Sequence, residues 1–197
     1  MKLKGLIILF CAALFSASVQ AQDSRFNLLL KSGTYTMSDT NQDHFGVPVF
    51  FDEDSSGIFG VDFMFLNLAG MKMGVEIYQF ENDFFESGGF GTASTMMTFF
   101  NVRKYFLDGM IQPYVGAGAG FGFSNFDSSG FRLSGSAFGI NAQFLLGLEL
   151  QFVDNFGIFL EYKNVILADY EGETIFGDVE DFDFSGSGIS AGVAFHF

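Results

Sequence analysis

The stretch Ile111-Gln-Pro-Tyr-Val-Gly-Ala-Gly-Ala-Gly-Phe-Gly-Phe-Ser124 reads as two interleaved lists. Its odd positions are Ile111, Pro113, Val115, Ala117, Ala119, Phe121 and Phe123, and its even positions are Gln112, Tyr114, Gly116, Gly118, Gly120, Gly122 and Ser124. A period of two held over the whole stretch describes a strand with two unlike faces and fits no helical template. Pro113 stands near the start, where a missing donor is tolerated. The same rhythm returns from Phe138 to Phe152, with Phe138, Ile140, Ala142, Phe144, Leu146, Leu148, Leu150 and Phe152 on one parity. It returns again at the C-terminus, where Ile189, Ala191, Val193, Phe195 and Phe197 alternate with Gly188, Ser190, Gly192, Ala194 and His196.

Weaker alternation extends the pattern to strands over 25–36, 58–66, 72–81, 92–106, 111–124, 138–152, 156–168 and 186–197. Their connections alternate in length: 67–71, 107–110 and 153–155 are short, whereas 37–57, 82–91, 125–137 and 169–185 are long and polar. An antiparallel meander of these strands places all short turns at one end and all long loops at the other.

Alternation alone does not say whether the apolar face lines a soluble barrel or meets lipid. The other face decides, because strands 111–124 and 186–197 would offer water little but Gly, Ser, Ala and Tyr, a poor solvent surface for so acidic a chain. Small side chains suit a narrow lumen, where Gly116, Gly118, Gly120 and Gly122 make room for bulky neighbours such as Tyr78, Phe99 or Met97. The strands, of 9 to 15 residues, also meet the ~9 to 11 residues that a tilted strand needs to cross a bilayer. The fold expected is therefore all-β, an eight-stranded antiparallel up-and-down transmembrane β-barrel.

Composition agrees. Of 197 residues 49% are hydrophobic, with 30 Phe and no Trp, so the chain is not disordered. With 9 Lys and Arg against 23 Asp and Glu it carries a net charge of −14 and has no basic patch, which argues against a nucleic-acid partner. Residues 1–21 have Lys2 and Lys4, an apolar run from Leu6 to Phe15, and Val19 and Ala21 in the spacing of a signal-peptidase site. A signal peptide over 1–21, cleaved after Ala21, leaves one barrel domain over 22–197 with a net charge of −16. Cys11 goes with the signal, and its neighbours Leu9 and Phe10 lack the small-residue box of a lipidated cysteine. The mature chain then has no cysteine for disulfides or thiolate ligands, and no cofactor is expected.

At this point the chain resembles the small outer-membrane β-barrel family that includes the membrane domain of OmpA and the OmpW and opacity-type proteins. The resemblance rests on Gln112-Pro-Tyr-Val-Gly-Ala-Gly-Ala-Gly120, on Phe159-Leu-Glu-Tyr-Lys163 and on Val193-Ala-Phe-His-Phe197. It implies residence in the cell outer membrane of a Gram-negative envelope, among lipid and lipopolysaccharide. It also implies that Val193, Phe195 and Phe197 form the C-terminal signal read by the barrel-assembly machinery. With the chain ending at Phe197, cell-wall anchoring of the OmpA kind is not expected.

With the apolar parity outward, Glu76, Arg103, Glu149, Glu161 and Lys163 face the lumen, as do Lys31 and Asp62. Charges in a narrow interior need pairing, since an unpaired buried charge costs several kcal/mol, and the resemblance implies a lumenal ion network. That network either gates a small pore or merely plugs the barrel and fixes its register. His44, in the first long loop, and His196, facing the lumen near the C-terminus, cannot share a site. No Ser or acid pairs with His44 at a diagnostic spacing, so no enzyme is expected. The abundant aromatics read as lipid-facing and interfacial packing. Most acid lies in the long loops, and Asp178, Glu180, Asp181 and Asp183 are a candidate divalent-cation site without EF-hand spacing. The function expected is a non-enzymatic, monomeric barrel with acidic surface loops that serves envelope integrity or surface interaction. The alternative is a narrow pore for small hydrophobic or polar solutes.

Overall fold

The computed structural model describes residues 26–38, 41–44, 47–52, 56–68, 71–86, 89–128, 135–173 and 179–197. The expected signal peptide lies outside the described residues. Eleven strands run in chain order: β1 (Asn27–Met37), β2 (Asn41–His44), β3 (Val47–Phe51), β4 (Ser56–Leu68), β5 (Met71–Glu86), β6 (Gly89–Tyr105), β7 (Ile111–Ser128), β8 (Gly135–Val153), β9 (Phe156–Glu173), β10 (Val179–Asp183) and β11 (Gly186–His196). Eight of them pair edge to edge, all antiparallel, in the order β1-β4-β5-β6-β7-β8-β9-β11 and back to β1. The first and last strands close the ring, with Asn27 opposite His196 and Met37 opposite Gly186. Closure pairs every barrel strand on both edges, the condition for crossing hydrocarbon with strands.

Parity follows the sequence pattern. Phe121, Phe144, Leu146 and Leu160 are exposed on the outer face, while Tyr114, Glu149 and Glu161 are buried inside. An apolar outside over a polar inside requires lipid around the wall.

The strands run farther toward the long-loop end than expected. The loop expected over 82–91 is strand up to Glu86 and again from Gly89, and β9 continues to Glu173. The reason is a change of phase. Beyond Ile77 the outward positions of β5 become polar (Gln79, Glu81, Asp83) and the inward ones aromatic (Phe80, Phe84), the reverse of the band below. A strand whose outside meets water buries its apolar face in the lumen, so it no longer matches an apolar-out template. The other loops also hold strands. In the first, the β2–β3 hairpin docks on the upper part of β5, with Phe50 opposite Phe85, and in the fourth β10 lies against β9, with Phe182 opposite Tyr170.

The apolar belt has unequal height. On β8 it occupies every outward position from Phe138 to Phe152, but on β5 only Met71, Met73, Val75 and Ile77. At about 2.5 Å of height per residue of tilted strand, the belt rises roughly 35 Å on β8 and roughly 15 Å on β5.

Candidate functional site: a charged and aromatic barrel interior

Alternation aims six charged side chains from five strands into a single layer of the lumen: Lys31 from β1, Asp62 from β4, Glu76 from β5, Arg103 from β6, and Glu161 and Lys163 from β9, all fully buried. Asp62 and Glu76 are direct cross-strand partners, a like-charge pair that destabilises a sheet unless cations intervene. Two do. Lys31 Nζ lies 2.8 Å from Glu76, 2.8 Å from Glu161 and 3.7 Å from Asp62. Arg103 Nη2 lies 2.5 Å from Asp62 and 2.7 Å from Glu161. Lys163 Nζ completes the set, 2.5 Å from Glu76 and 3.8 Å from the centre of the Tyr78 ring.

Neutral donors reach two of the carboxylates, Glu76 and Glu161, and none reaches Asp62 among the described residues. Asn101 and Gln143 donate to Glu76 Oε2 at 2.7 and 2.8 Å, and the Tyr114 hydroxyl donates to Glu161 Oε2 at 2.9 Å. Three carboxylates thus face three cations, and the layer is neutral as a whole. Such a cluster is strongly destabilised by loss of one member, because the others stay buried without compensation.

Glu149 does not belong to that layer, contrary to the grouping expected from sequence. It sits nearer the short-turn end, where His196 Nε2 lies 2.6 Å away and the Tyr105 hydroxyl donates at 3.2 Å. The ladder explains the separation: Glu149 is opposite Gln112 and Phe159, near the foot of its strand, whereas Glu161 is farther up β9. Below the pair a recess of about 870 Å³ opens at the short-turn mouth, lined among others by Lys72, Tyr105, Gln112, Gln151 and His196. The cation of Lys72 stands 4.3 Å over the Tyr105 ring.

Above the charged layer the lumen is aromatic. Tyr78 stacks on Phe99 at 5.7 Å, Tyr35 meets Phe80 at 4.7 Å, Tyr170 meets Phe184 at 5.0 Å, and Phe126 meets Phe182 at 4.5 Å. The Tyr35 hydroxyl donates to the Phe184 carbonyl at 2.6 Å. The aromatic content is therefore divided: rings such as Phe121, Phe138 and Phe144 are exposed on the outer face as expected, whereas others fill the barrel, which the lipid-facing reading did not foresee. The phase change beyond Ile77 was the available signal.

The glycines of β7 make room for the neighbouring strands, and two of the expected neighbours are their direct partners, Phe99 opposite Gly120 and Met97 opposite Gly122. A Cβ at Gly116 would meet the Arg103 stem, at Gly118 the Asn101 amide, at Gly120 the Thr98 backbone, and at Gly122 the Tyr170 hydroxyl. Antiparallel register sets this, since Gly116 lies opposite Arg103 and Gly118 opposite Asn101. Tyr114 in turn lies flat over Gly147, its own cross-strand partner.

The C-terminal residues Val193 and Phe195 lie on β11, and exposed Phe197 follows it, its backbone N–H donating to the Phe26 carbonyl at 2.8 Å. Of the loop acids, Asp178 lies outside the described residues, as do the side chains of Glu180 and Asp181. Asp183 accepts from the Ser185 backbone N–H at 2.7 Å. The backbone of His44 lies in β2, and its side chain is outside the described set. Among the described residues no three His, Cys, Asp or Glu side chains are placed to hold a metal ion.

No family model and no curated protein matches this chain. Solved structures do. The outer membrane protein OprG of Pseudomonas aeruginosa aligns with a TM-score of 0.64 at 15% identity, covering 88% of this chain and 96% of that one. Neisserial surface protein A, NspA, aligns at 0.60 and 14% identity over 87% and 97%, and outer membrane protein W of E. coli at 0.57 and 17% over 90% and 100%. Together with the closed antiparallel wall and its apolar outer belt, these likenesses identify the fold: the chain is an eight-stranded β-barrel of the small outer-membrane type.

Proposed function

We propose that the protein is a non-enzymatic outer-membrane barrel, closed to solutes, whose working surface is the wall that continues beyond the membrane on its long-loop side. The observation that carries this reading is the filled lumen. A neutral layer of three carboxylates and three cations, each fully buried, lies beneath buried rings, so among the described residues this stretch of the lumen is occupied by side chains and offers no excess charge to select ions. The role then falls to the surface, in envelope integrity or surface interaction, with lipid and lipopolysaccharide around the belt. The C-terminal Val193, Phe195 and Phe197 serve biogenesis by the assembly machinery. The experiment is reconstitution into planar bilayers. Absence of steady single-channel conductance supports a closed barrel, and ohmic steps that vanish on boiling the protein would restore the pore.

A further inference from the structure

We propose that an aromatic patch on the outer wall, formed by Phe50, Phe85 and Phe90, docks a basic, apolar polypeptide segment of a partner protein. The inference builds on the surface reading above and names the chemistry of its partner. Phe85 and Phe90 face each other across the β5–β6 ladder with ring centres 5.1 Å apart, and Phe50 is opposite Phe85 on the other side. The three are 44%, 42% and 73% exposed in order of residue number.

Position separates this patch from the lipid belt. Along β5 the outward side chains run Met71, Met73, Val75, Ile77, then Gln79, Glu81, Asp83, and only then Phe85. Along β6 they run Val102, Phe100, Thr98, Met96, then Ser94 and Thr92, and then Phe90. Phe85 stands about 20 Å above Ile77, so a polar band lies between rings and belt. Exposed rings there have no hydrocarbon to enter, and a contiguous apolar patch in water marks a binding surface.

Charge selects the occupant. Glu81, Asp83 and Asp127 are exposed on the same face of the adjoining strands, and the bases of β5 and β6, namely Lys72, Arg103 and Lys104, lie at the opposite ends of those strands. A second copy of this chain would set these carboxylates against their own copies. Anionic lipid phosphates would meet them with the same repulsion. Successive side chains of an extended peptide point to opposite faces, so a segment in which basic and apolar residues alternate in pairs presents both kinds to the wall and satisfies both rows at once.

The test uses the full-length barrel in nanodiscs of zwitterionic lipid, with empty nanodiscs as reference. Binding of a labelled synthetic Lys–Leu peptide, built of Lys-Lys and Leu-Leu pairs in alternation, is followed by fluorescence anisotropy at physiological salt, beside a Lys–Ser peptide of equal length with Ser in place of Leu. The Lys–Leu peptide is expected to bind more tightly than Lys–Ser, and Phe85→Ser with Phe90→Ser should weaken it about tenfold or more while leaving Lys–Ser unchanged. Glu81→Gln with Asp83→Asn should weaken both peptides. If unboiled gel mobility shows the double Phe variant misfolded, Phe90→Ser alone, at the most exposed ring, takes its place. Unchanged Lys–Leu affinity in a folded Phe variant overturns the proposal. So does a wild-type dimer in sedimentation that the Phe variant abolishes, or displacement of the peptide from the wild type by lipopolysaccharide alone. Failure of peptide binding would leave the closed-barrel reading untouched, since that stands or falls on conductance.

Discussion

Replacing Arg103 with Met keeps most of the side-chain stem and removes the charge that holds Asp62. In the wild type Arg103 Nη2 contacts Asp62 at 2.5 Å and Glu161 at 2.7 Å. Glu161 would keep Lys31 at 2.8 Å and the Tyr114 hydroxyl at 2.9 Å. Asp62 would keep only Lys31, at 3.7 Å. The loss therefore concentrates on one fully buried carboxylate beside the like-charged Glu76, and breaking a buried pair from one side costs about 3 to 5 kcal/mol. Adding Asp62→Asn removes that stranded charge, so the double variant should be more stable than Arg103→Met alone, with a coupling of about 1 to 3 kcal/mol. The chain has no Trp, so unfolding in urea is best followed as the fraction of unboiled protein that migrates as folded barrel. Arg103→Met as stable as the wild type, or strict additivity in the cycle, would refute the network.

Three further outcomes are expected. Gly147→Val should destabilise the barrel by about 1 to 3 kcal/mol in the same urea assay, because its side chain enters the space held by the Tyr114 ring; a neutral effect would mean that Tyr114 can swing away. Deleting Phe197 should lower the membrane yield more than Phe144→Ala, although both residues are more than half exposed on the outer surface and burial alone foresees similar losses. Equal yields would argue against a C-terminal assembly signal. Millimolar calcium should protect the segment 169–185 from proteolytic nicking, at the ~10⁻⁴ to 10⁻³ M affinity of loose extracellular sites, and substituting Asp178, Glu180, Asp181 and Asp183 by their amides should remove that protection. Equal protection of both proteins would leave the acidity merely solubilising.

The membrane-spanning part of the fold was legible because hydrocarbon outside and a narrow lumen inside impose opposite demands on successive residues. β7, β8 and β11 record those demands without interruption. The same parity pointed Lys31, Asp62, Glu76, Arg103, Glu149, Glu161 and Lys163 inward. Which of them meet was not legible, since that depends on how far each strand slides past the next around a closed ring. Arg103 and Asp62 are 2.5 Å apart though they stand on β6 and β4, separated by the whole of β5. The extension beyond the membrane was hidden for another reason: water replaces lipid there, the phase inverts, and Phe80, Phe84 and Phe126 turn inward while Asp83 and Asp127 turn out.

The uneven belt bears on how the barrel stands in its leaflet. A cylinder whose apolar zone is taller on one flank does not sit upright in a slab of uniform thickness; it leans until mismatch is shared between the flanks. Here the lean is toward β8, which sinks Phe138 and Ile140 into the outer leaflet and lifts the opposite flank. The face bearing Glu81, Asp83, Phe85 and Phe90 then no longer looks sideways along the crowded membrane plane but is tipped up toward the surrounding medium.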